Sequence, residues 1–192
     1  TRQQFNKKEE IFSWIKCIVL AVAITLLLVN FVFLFVRVDG ASMTNTLQNN
    51  DRLFVDRLVY TFSEPRRGDI VICHFPKPDI PFFNYQENKT YVKRCVAVAG
   101  DTVEIKEDGY LYVNDELITE SYIITKSSIS GGDKTMKNTF AKTTVPEGCI
   151  FVMGDNRDDS TDSRVVGAVP LNLVIGKACF VIWPISNWEY IG

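Results

Sequence analysis

The chain has 192 residues, one domain's length with a modest addition, since domains run roughly 100–200 residues. Its 21 Lys and Arg against 23 Asp and Glu leave a net charge of −2, so no basic field exists to hold a nucleic-acid backbone. With 46% apolar and 12% aromatic residues it is not a disordered chain, and its one histidine, His74, excludes a histidine-rich metal site.

Residues 1–16 carry Arg2, Lys7, Lys8 and Lys16 against Glu9 and Glu10, a basic lead ahead of an uncharged run. That run, Cys17 to Val36, is 20 residues long and holds neither Gly nor Pro. As a helix at 1.5 Å per residue it reaches about 30 Å, the thickness of a bilayer's hydrocarbon core. Of its two polar members, Thr25 can bond back to its own helix and Asn30 is the costly one. A cleaved leader is the rival reading, with Val38-Asp39-Gly40 as a loose processing site, but leaders have apolar cores of only ~7–15 residues. The run therefore predicts a retained transmembrane helix over 17–36. Only Arg37 and Arg52 follow closely, so the positive-inside tendency puts residues 1–16 in the cytoplasm and 37–192 outside. Trp14 suits an interfacial anchor.

Beyond the run, Gly and Pro punctuate short apolar or alternating stretches, which predict strands at 52–60, 69–75, 90–99, 102–106, 110–113, 149–153 and 173–183. Glu107-Asp108-Gly109 reads as a hairpin turn between two of them. No long helical period follows residue 40, so the prediction is an all-β domain with barrel character. Residues 120–144, rich in Ser, Thr, Lys and Gly, read as a polar excursion. Pro78, Pro81, Phe82, Phe83 and Tyr85 form an aromatic, proline-broken stretch, read either as packing under a loop or as a contact with the membrane interface. Five cysteines (17, 73, 95, 149, 179) lack C-x-x-C spacing and read as small buried hydrophobes, with a Cys73–Cys95 disulfide the alternative.

Three stretches could carry chemistry. Lys93 lies in a predicted strand, sharing a face with Tyr91 and Cys95 while Arg94 points the other way. A lysine on an apolar face loses hydration and its pKa falls, which supplies a general base near neutral pH; the plain alternative is a stem that snorkels to water. Ser42, just after Gly40, is either a turn residue or a nucleophile in need of a base. His74 sits in an apolar strand and reads as a packed or surface residue. The acidic stretch 154–164 fails as an EF-hand: a loop begun at Asp155 puts Ser160 where Gly belongs and Val166 where the bidentate Glu belongs. Asp155, Arg157, Asp162 and Arg164 instead suggest a charge-paired loop.

Together, Gly40-x-Ser42-Met43-x-x-Thr46-Leu47, Gly68-Asp69-Ile70-Val71, Lys93-Arg94 with Gly100-Asp101, and Gly154-Asp155-Asn156-Arg157-x-x-Ser160-x-Asp162-Ser163-Arg164 resemble the bacterial type I signal peptidases. These are membrane-anchored serine proteases with a Ser–Lys dyad. The resemblance covers about residues 38–180 and is Gram-positive-like at Gly40, where many Gram-negative members carry a serine whose hydroxyl serves the oxyanion. It implies a mainly β fold, with a transmembrane helix before a signal-peptidase-like catalytic domain. It implies Ser42 as nucleophile, its backbone N–H as oxyanion donor, and Lys93 as base. Ser160 would hydrogen-bond and orient the lysine amine, Asp155, Asp162 and Arg164 would support the site, and Val38, Met43 and Val92 would line the substrate pockets. No metal or organic cofactor is implied. The partners implied are the signal peptides of exported preproteins and the lipid bilayer, the chain acting as a monomer on the outer side of the plasma membrane. Only residues 37–41 separate the uncharged run from Ser42, at most about 20 Å of extended chain, so the nucleophile would work near the membrane. Asn45 stands where the family has proline; losing a preset φ there would loosen the loop by ~0.4–1 kcal/mol. The rivals are a self-cleaving repressor-type Ser–Lys protease, which would need a DNA-binding module, and a tethered, inactive β domain.

Overall fold

The computed structural model of the chain describes residues 7–76, 89–125, 136 and 138–192. The aromatic stretch 78–85 and the middle of the 120–144 excursion lie outside the described residues. Helix α1 runs from Lys7 to Phe31, unbroken by Gly or Pro, and Thr25 Oγ1 donates back to the Ala21 carbonyl at 2.9 Å. The side chain of Asn30 also lies outside the described residues.

The helix ends earlier than the uncharged run suggests. Phe33–Arg37 form strand β1, paired along its whole length with β2 (Arg52–Asp56). Packing decides this: Leu34 and Val36 turn onto the core around Leu53 and Val55, while the rings of Phe33 and Phe35 meet Phe54. Tertiary contact thus overrides the helical reading of an apolar stretch, because alternation gives both faces of β1 a partner. The uncharged helical part, 17–31, spans about 22 Å at 1.5 Å per residue. Among the described residues no helix is long and apolar enough to cross a membrane. The link to Ser42 is residues 32–41 rather than 37–41, with β1 inside it, so it reaches up to about 35 Å if extended.

Strands β3 (Ile70–His74), β4 (Thr90–Val98), β5 (Thr102–Ile105), β6 (Leu111–Val113), β9 (Cys149–Met153) and β11 (Val174–Trp183) fall within one residue of their predicted ends. The predicted 52–60 strand stops at Asp56. Asp56 Oδ1 accepts from the N–H groups of Leu58 and Val59, at 2.8 and 3.2 Å, and turns the chain into a short helix, α2 (Val59–Phe62). Strands β7 (Glu116–Leu117), β8 (Phe140–Thr144), β10 (Val169–Pro170) and β12 (Glu189–Tyr190) and the turn α3 (Ser163–Val166) were not predicted. The end of the 120–144 excursion is thus a strand, and of its first residues Glu120, Ile123 and Thr125 are buried.

Two sheets result. The larger has the order β1-β2-β11-β3-β4-β9-β10, with β12 beside β11; the smaller has the order β7-β6-β5-β8. The turn at 107–109 joins β5 to β6 as predicted, with Gly109 at φ +77°. Strand β3 is buried on both faces, Ile70 and Ile72 packing with Val38, Met43 and Leu47, and Val71 and Cys73 packing with Cys95 and Val152. Val103, Ile105, Leu111 and Val113 of the small sheet close over Phe151 and Met153 of β9. All five cysteines are free, so the Cys73–Cys95 disulfide does not form; burial pushes both of those thiols up to about 12.

Two of the edges left without a partner among the described residues matter here: β1 pairs with β2 alone, and the start of β4 pairs with β3 alone, since its ladder to β9 begins at Arg94. Segment 36–43, which turns at 40–43, and segment 89–93 face one cleft of about 390 Å³, joined by Asp159 and Thr161.

Candidate active site

Ser42 sits in the turn that follows Gly40, and Gly40 takes φ +102°, a left-handed value suited to glycine. Lys93 comes from the middle of β4, where alternation sets it opposite to Val92 and Arg94. The two meet in the cleft: Lys93 Nζ donates to Ser42 Oγ at 2.6 Å. The Ser42 amide hydrogen bonds to nothing among the described residues, while its carbonyl accepts from Asn156 N–H at 3.0 Å.

Lys93 is 3% exposed. Burial lowers its pKa from 10.5 to about 8, against the opposing pull of Asp162, the Cys73 thiol and Asp155. The amine is therefore substantially neutral slightly above physiological pH, with the lone pair a proton acceptor needs. The difference corresponds to about 3 kcal/mol at 1.36 kcal/mol per pH unit. Below pH 8 both folded and unfolded chains hold the proton and the full cost of a buried charge is present; it is relieved as pH rises from 8 to 10.5. Lys93→Met should accordingly raise stability at pH 7 by about 1–3 kcal/mol, and the gain should fade by pH 10.5, as read from urea unfolding at both values. A gain independent of pH would contradict a charged, buried lysine.

Gly154 explains how the third stretch reaches this pair. A methyl group on its Cα would overlap the Ser42 carbonyl oxygen and the Ser160 hydroxyl, so only glycine lets the 154–160 loop close on the Ser42 turn. Ser160 Oγ is buried there without a hydrogen-bond partner, though near enough to Asp162 to help lower that carboxyl. The bond to Lys93 implied by the resemblance is thus not formed; the lysine amine is engaged by Ser42 instead.

The charge pairing differs from the loop-internal scheme. Asp162 does pair within the loop, with Arg164 at 2.8 Å, and it also accepts from the Gly154 and Arg164 N–H groups. Burial pushes its carboxyl up, but these partners prevail and hold it below the ordinary range. Asp155, fully buried, instead takes two bonds from Arg94, at 2.9 and 2.7 Å, and one from Thr46 Oγ1 at 2.5 Å. Arg157 pairs with Glu120, both buried. Arg94, Thr46, Glu120 and Gly154 are the participants that sequence reasoning assigned no role.

Asn45 also departs from expectation. Its φ is +94°, which proline cannot adopt, so the lost-proline argument does not apply; asparagine is among the few side chains that tolerate this region. Its Nδ2 donates to the Tyr122 carbonyl at 2.8 Å. Of the three predicted pocket residues, Val38 and Met43 are buried, Val92 packs against them, and all border the cleft beside Ser42. His74 lies at the far end of β3, its Nδ1 3.0 Å from the Lys89 carbonyl, and does not line the cleft. A larger cavity of about 460 Å³ lies on the other side of the loop, touching Ser160 but neither Ser42 nor Lys93, so the smaller cleft is the one with chemistry. Among the described residues no cluster of three His, Cys, Asp or Glu could hold a metal.

The cleft thus brings a serine hydroxyl against a buried lysine amine, and comparison with known proteins gives the family. Residues 11–183 match the family described as signal peptidase, peptidase S26. The chain is 39% identical over 185 residues to a signal peptidase I of Bacillus licheniformis, covering 95% of this chain and 94% of that one. It is 37% identical over 188 residues to signal peptidase I S of Bacillus subtilis, covering 96% of each. A crystal structure of a signal peptidase I from Enterococcus faecalis aligns with a TM-score of 0.44 and 32% identity, covering 60% of this chain and 97% of that one. The chain is therefore a serine peptidase and belongs to the signal peptidase, peptidase S26 family.

Proposed function

We propose that this enzyme removes N-terminal signal peptides from exported preproteins by a Ser42–Lys93 dyad, working at a membrane surface. The observation that carries the reading is the 2.6 Å contact between Ser42 Oγ and a lysine amine whose pKa burial has lowered to about 8. In the reactive state the neutral amine accepts the Ser42 proton as Oγ attacks the scissile carbonyl. The carbonyl π electrons move to its oxygen, where the unengaged Ser42 N–H donates. Collapse of the intermediate expels the mature chain's amine, which takes the proton from Lys93, and leaves an ester on Ser42. Water, deprotonated by the neutral Lys93, then attacks that ester; its collapse frees the signal peptide's carboxylate, and Lys93 returns the proton to the departing Ser42 Oγ. Ser160 Oγ, buried without a hydrogen-bond partner, would accept an N–H of the neutral lysine and orient it, as the resemblance implies.

The substrate lies between the open edges of β1 and β4 as an added strand. Its side chains alternate, so −1 and −3 turn into the wall of Val38, Met43 and Val92 and −2 turns away. Shallow apolar walls exclude bulk: Ala, Gly or Ser is required at −1, small residues and Val are accepted at −3, and −2 is tolerant. The deciding experiment is a preprotein series varied at these positions, with cleavage sites read by mass spectrometry. Val38→Ala with Val92→Ala should relax the −1 and −3 rule; efficient cutting after Leu or Phe by the unaltered enzyme would sink the proposal.

Lipid as the surroundings of α1 is supported by its side chains. Ile11, Trp14, Ile18, Val19, Leu20, Val22, Ile24, Leu26 and Val29 are all exposed, on every side of the helix. From Ile11 to Phe31 it extends about 31 Å, and the only charge in that length is Lys16, whose long stem can snorkel toward headgroups. The basic lead then lies in the bacterial cytoplasm and the β domain outside, each chain acting as a monomer.

A further inference from the structure

The chain leaves the small sheet after β7 and, over residues 120–125, crosses the catalytic loops like a strap. Its backbone ties to both of them. Asn45 Nδ2 donates to the Tyr122 carbonyl at 2.8 Å, Ile124 N–H donates to the Asp155 carbonyl at 2.8 Å, and Arg157 N–H donates to the Ile124 carbonyl at 3.0 Å. Its side chains tie to them again. The Tyr122 ring lies 3.9 Å from the Arg94 guanidinium carbon, and its hydroxyl donates to Glu120 Oε1 at 2.9 Å. Glu120 in turn pairs with Arg157, whose Nε donates to the Gly154 carbonyl at 3.0 Å.

These contacts converge on one place. Arg94 is clamped between the Tyr122 ring and the Asp155 carboxylate, and the same carboxylate holds Thr46. Asn156, next to Asp155, donates from its backbone to the Ser42 carbonyl and from its side chain to the Ala41 carbonyl, at 3.0 and 3.1 Å. Ser42 is thus held from both sides by loops whose common support is the strap. An aromatic face sets the plane of a guanidinium, and a fixed plane directs both of its bonds to a carboxylate.

We infer that Tyr122 is a positioning residue for Ser42, acting through Arg94 and Asp155, and that the 120–125 strap, which follows the small sheet, serves catalysis. This rests on the dyad reading above. The nucleophile turn has no long element of its own to hold it, and a displacement of about 1 Å at a reacting atom can cost as much as 10²-fold in rate. The strap supplies the missing rigidity.

The test uses the full-length, detergent-solubilised enzyme and a purified preprotein, with kcat, KM and the thermal transition measured for each variant. Tyr122→Leu removes the ring and should lower kcat by about 10-fold or more while KM stays within about 2-fold, because alignment rather than binding is lost. Tyr122→Phe keeps the ring over Arg94 and should restore kcat to within about 3-fold of the parent, since only one hydrogen bond is lost. Asn45→Gly accommodates the positive φ but cuts the tether to the strap, and it should lower kcat by about 3-fold with KM unchanged. Should Tyr122→Leu fail to fold, the Asn45→Gly result decides. A lowered thermal transition with unchanged kcat in the folded variants would overturn the inference and leave the strap a purely structural tie. Ser42→Ala is run alongside: residual cleavage there would mean the dyad reading has failed, whereas its inactivity beside a normal Tyr122→Leu enzyme would mean that the strap inference alone has failed.

Discussion

Ser42→Ala and Lys93→Met should each reduce preprotein turnover by roughly 10⁴-fold or more while leaving a folded protein, and the double variant should be little worse than either. The reason is geometric. The two groups lie 2.6 Å apart and, on the proposed mechanism, act in one proton transfer, so neither has a role once the other is gone. Two independent contributors would multiply their losses; members of one unit do not. The surviving rate would come from the Ser42 amide and from binding in the cleft, neither of which the Lys93 substitution removes. The pH profile gives a second reading of the same unit. If neutral Lys93 is the base, as proposed, kcat/KM should fall as pH drops through about 8, well below the ordinary lysine value of 10.5. His74→Ala should stay active, because that imidazole does not line the cleft and its Nδ1 is engaged by the Lys89 carbonyl. A folded but inactive His74→Ala enzyme would overturn Lys93 as the base.

Asp155→Ala should destabilise the protein by about 3–5 kcal/mol, the usual cost of stranding a buried charge. Asp155 is completely buried and Arg94 only 8% exposed, so no water can replace the lost carboxylate. Thr46 loses its acceptor at the same time, and with it a restraint four residues from the nucleophile. Arg94→Met with Asp155→Leu should cost markedly less than the sum of the single changes, since an apolar pair leaves no charge unmatched. Urea unfolding of the three variants in detergent measures this. Additive losses would show that the two residues are supported separately. Activity should be lost in all three, as the Thr46 tether is gone in the two that lack Asp155 and misdirected in the other.

Sequence alone went far where local physics decides. The central strands were legible because Gly and Pro bracket them and because β3 and β9 are apolar on both faces. The end of α1 was not, since an apolar run is equally suited to lipid and to a packed strand; only the contact of Leu34 and Val36 with the core separates them. Strand β8 was hidden in a Lys- and Thr-rich stretch that pairs at an edge and buries little. Ser42 and Lys93 could be named from the order of motifs, but nothing in their own surroundings brings together residues 51 positions apart. The ion pairs were hardest. Arg94 meets Asp155 across 61 residues and Arg157 meets Glu120 across 37, and a charge's sign does not reveal which distant opposite it will face.

The crowding at Gly154 bears on how this enzyme can change over generations. Pockets lined by Val38 or Val92 can drift, since a methyl more or less alters which preproteins are favoured and leaves a working protease to be selected again. Position 154 has no such neighbours in sequence space. Every alternative codon adds at least one carbon, and that carbon lands on the Ser42 carbonyl and the Ser160 hydroxyl together. Specificity can therefore wander by small steps while the closure of the loop on the nucleophile stays frozen, and a lineage that lost this glycine would have to rebuild two loops at once to recover.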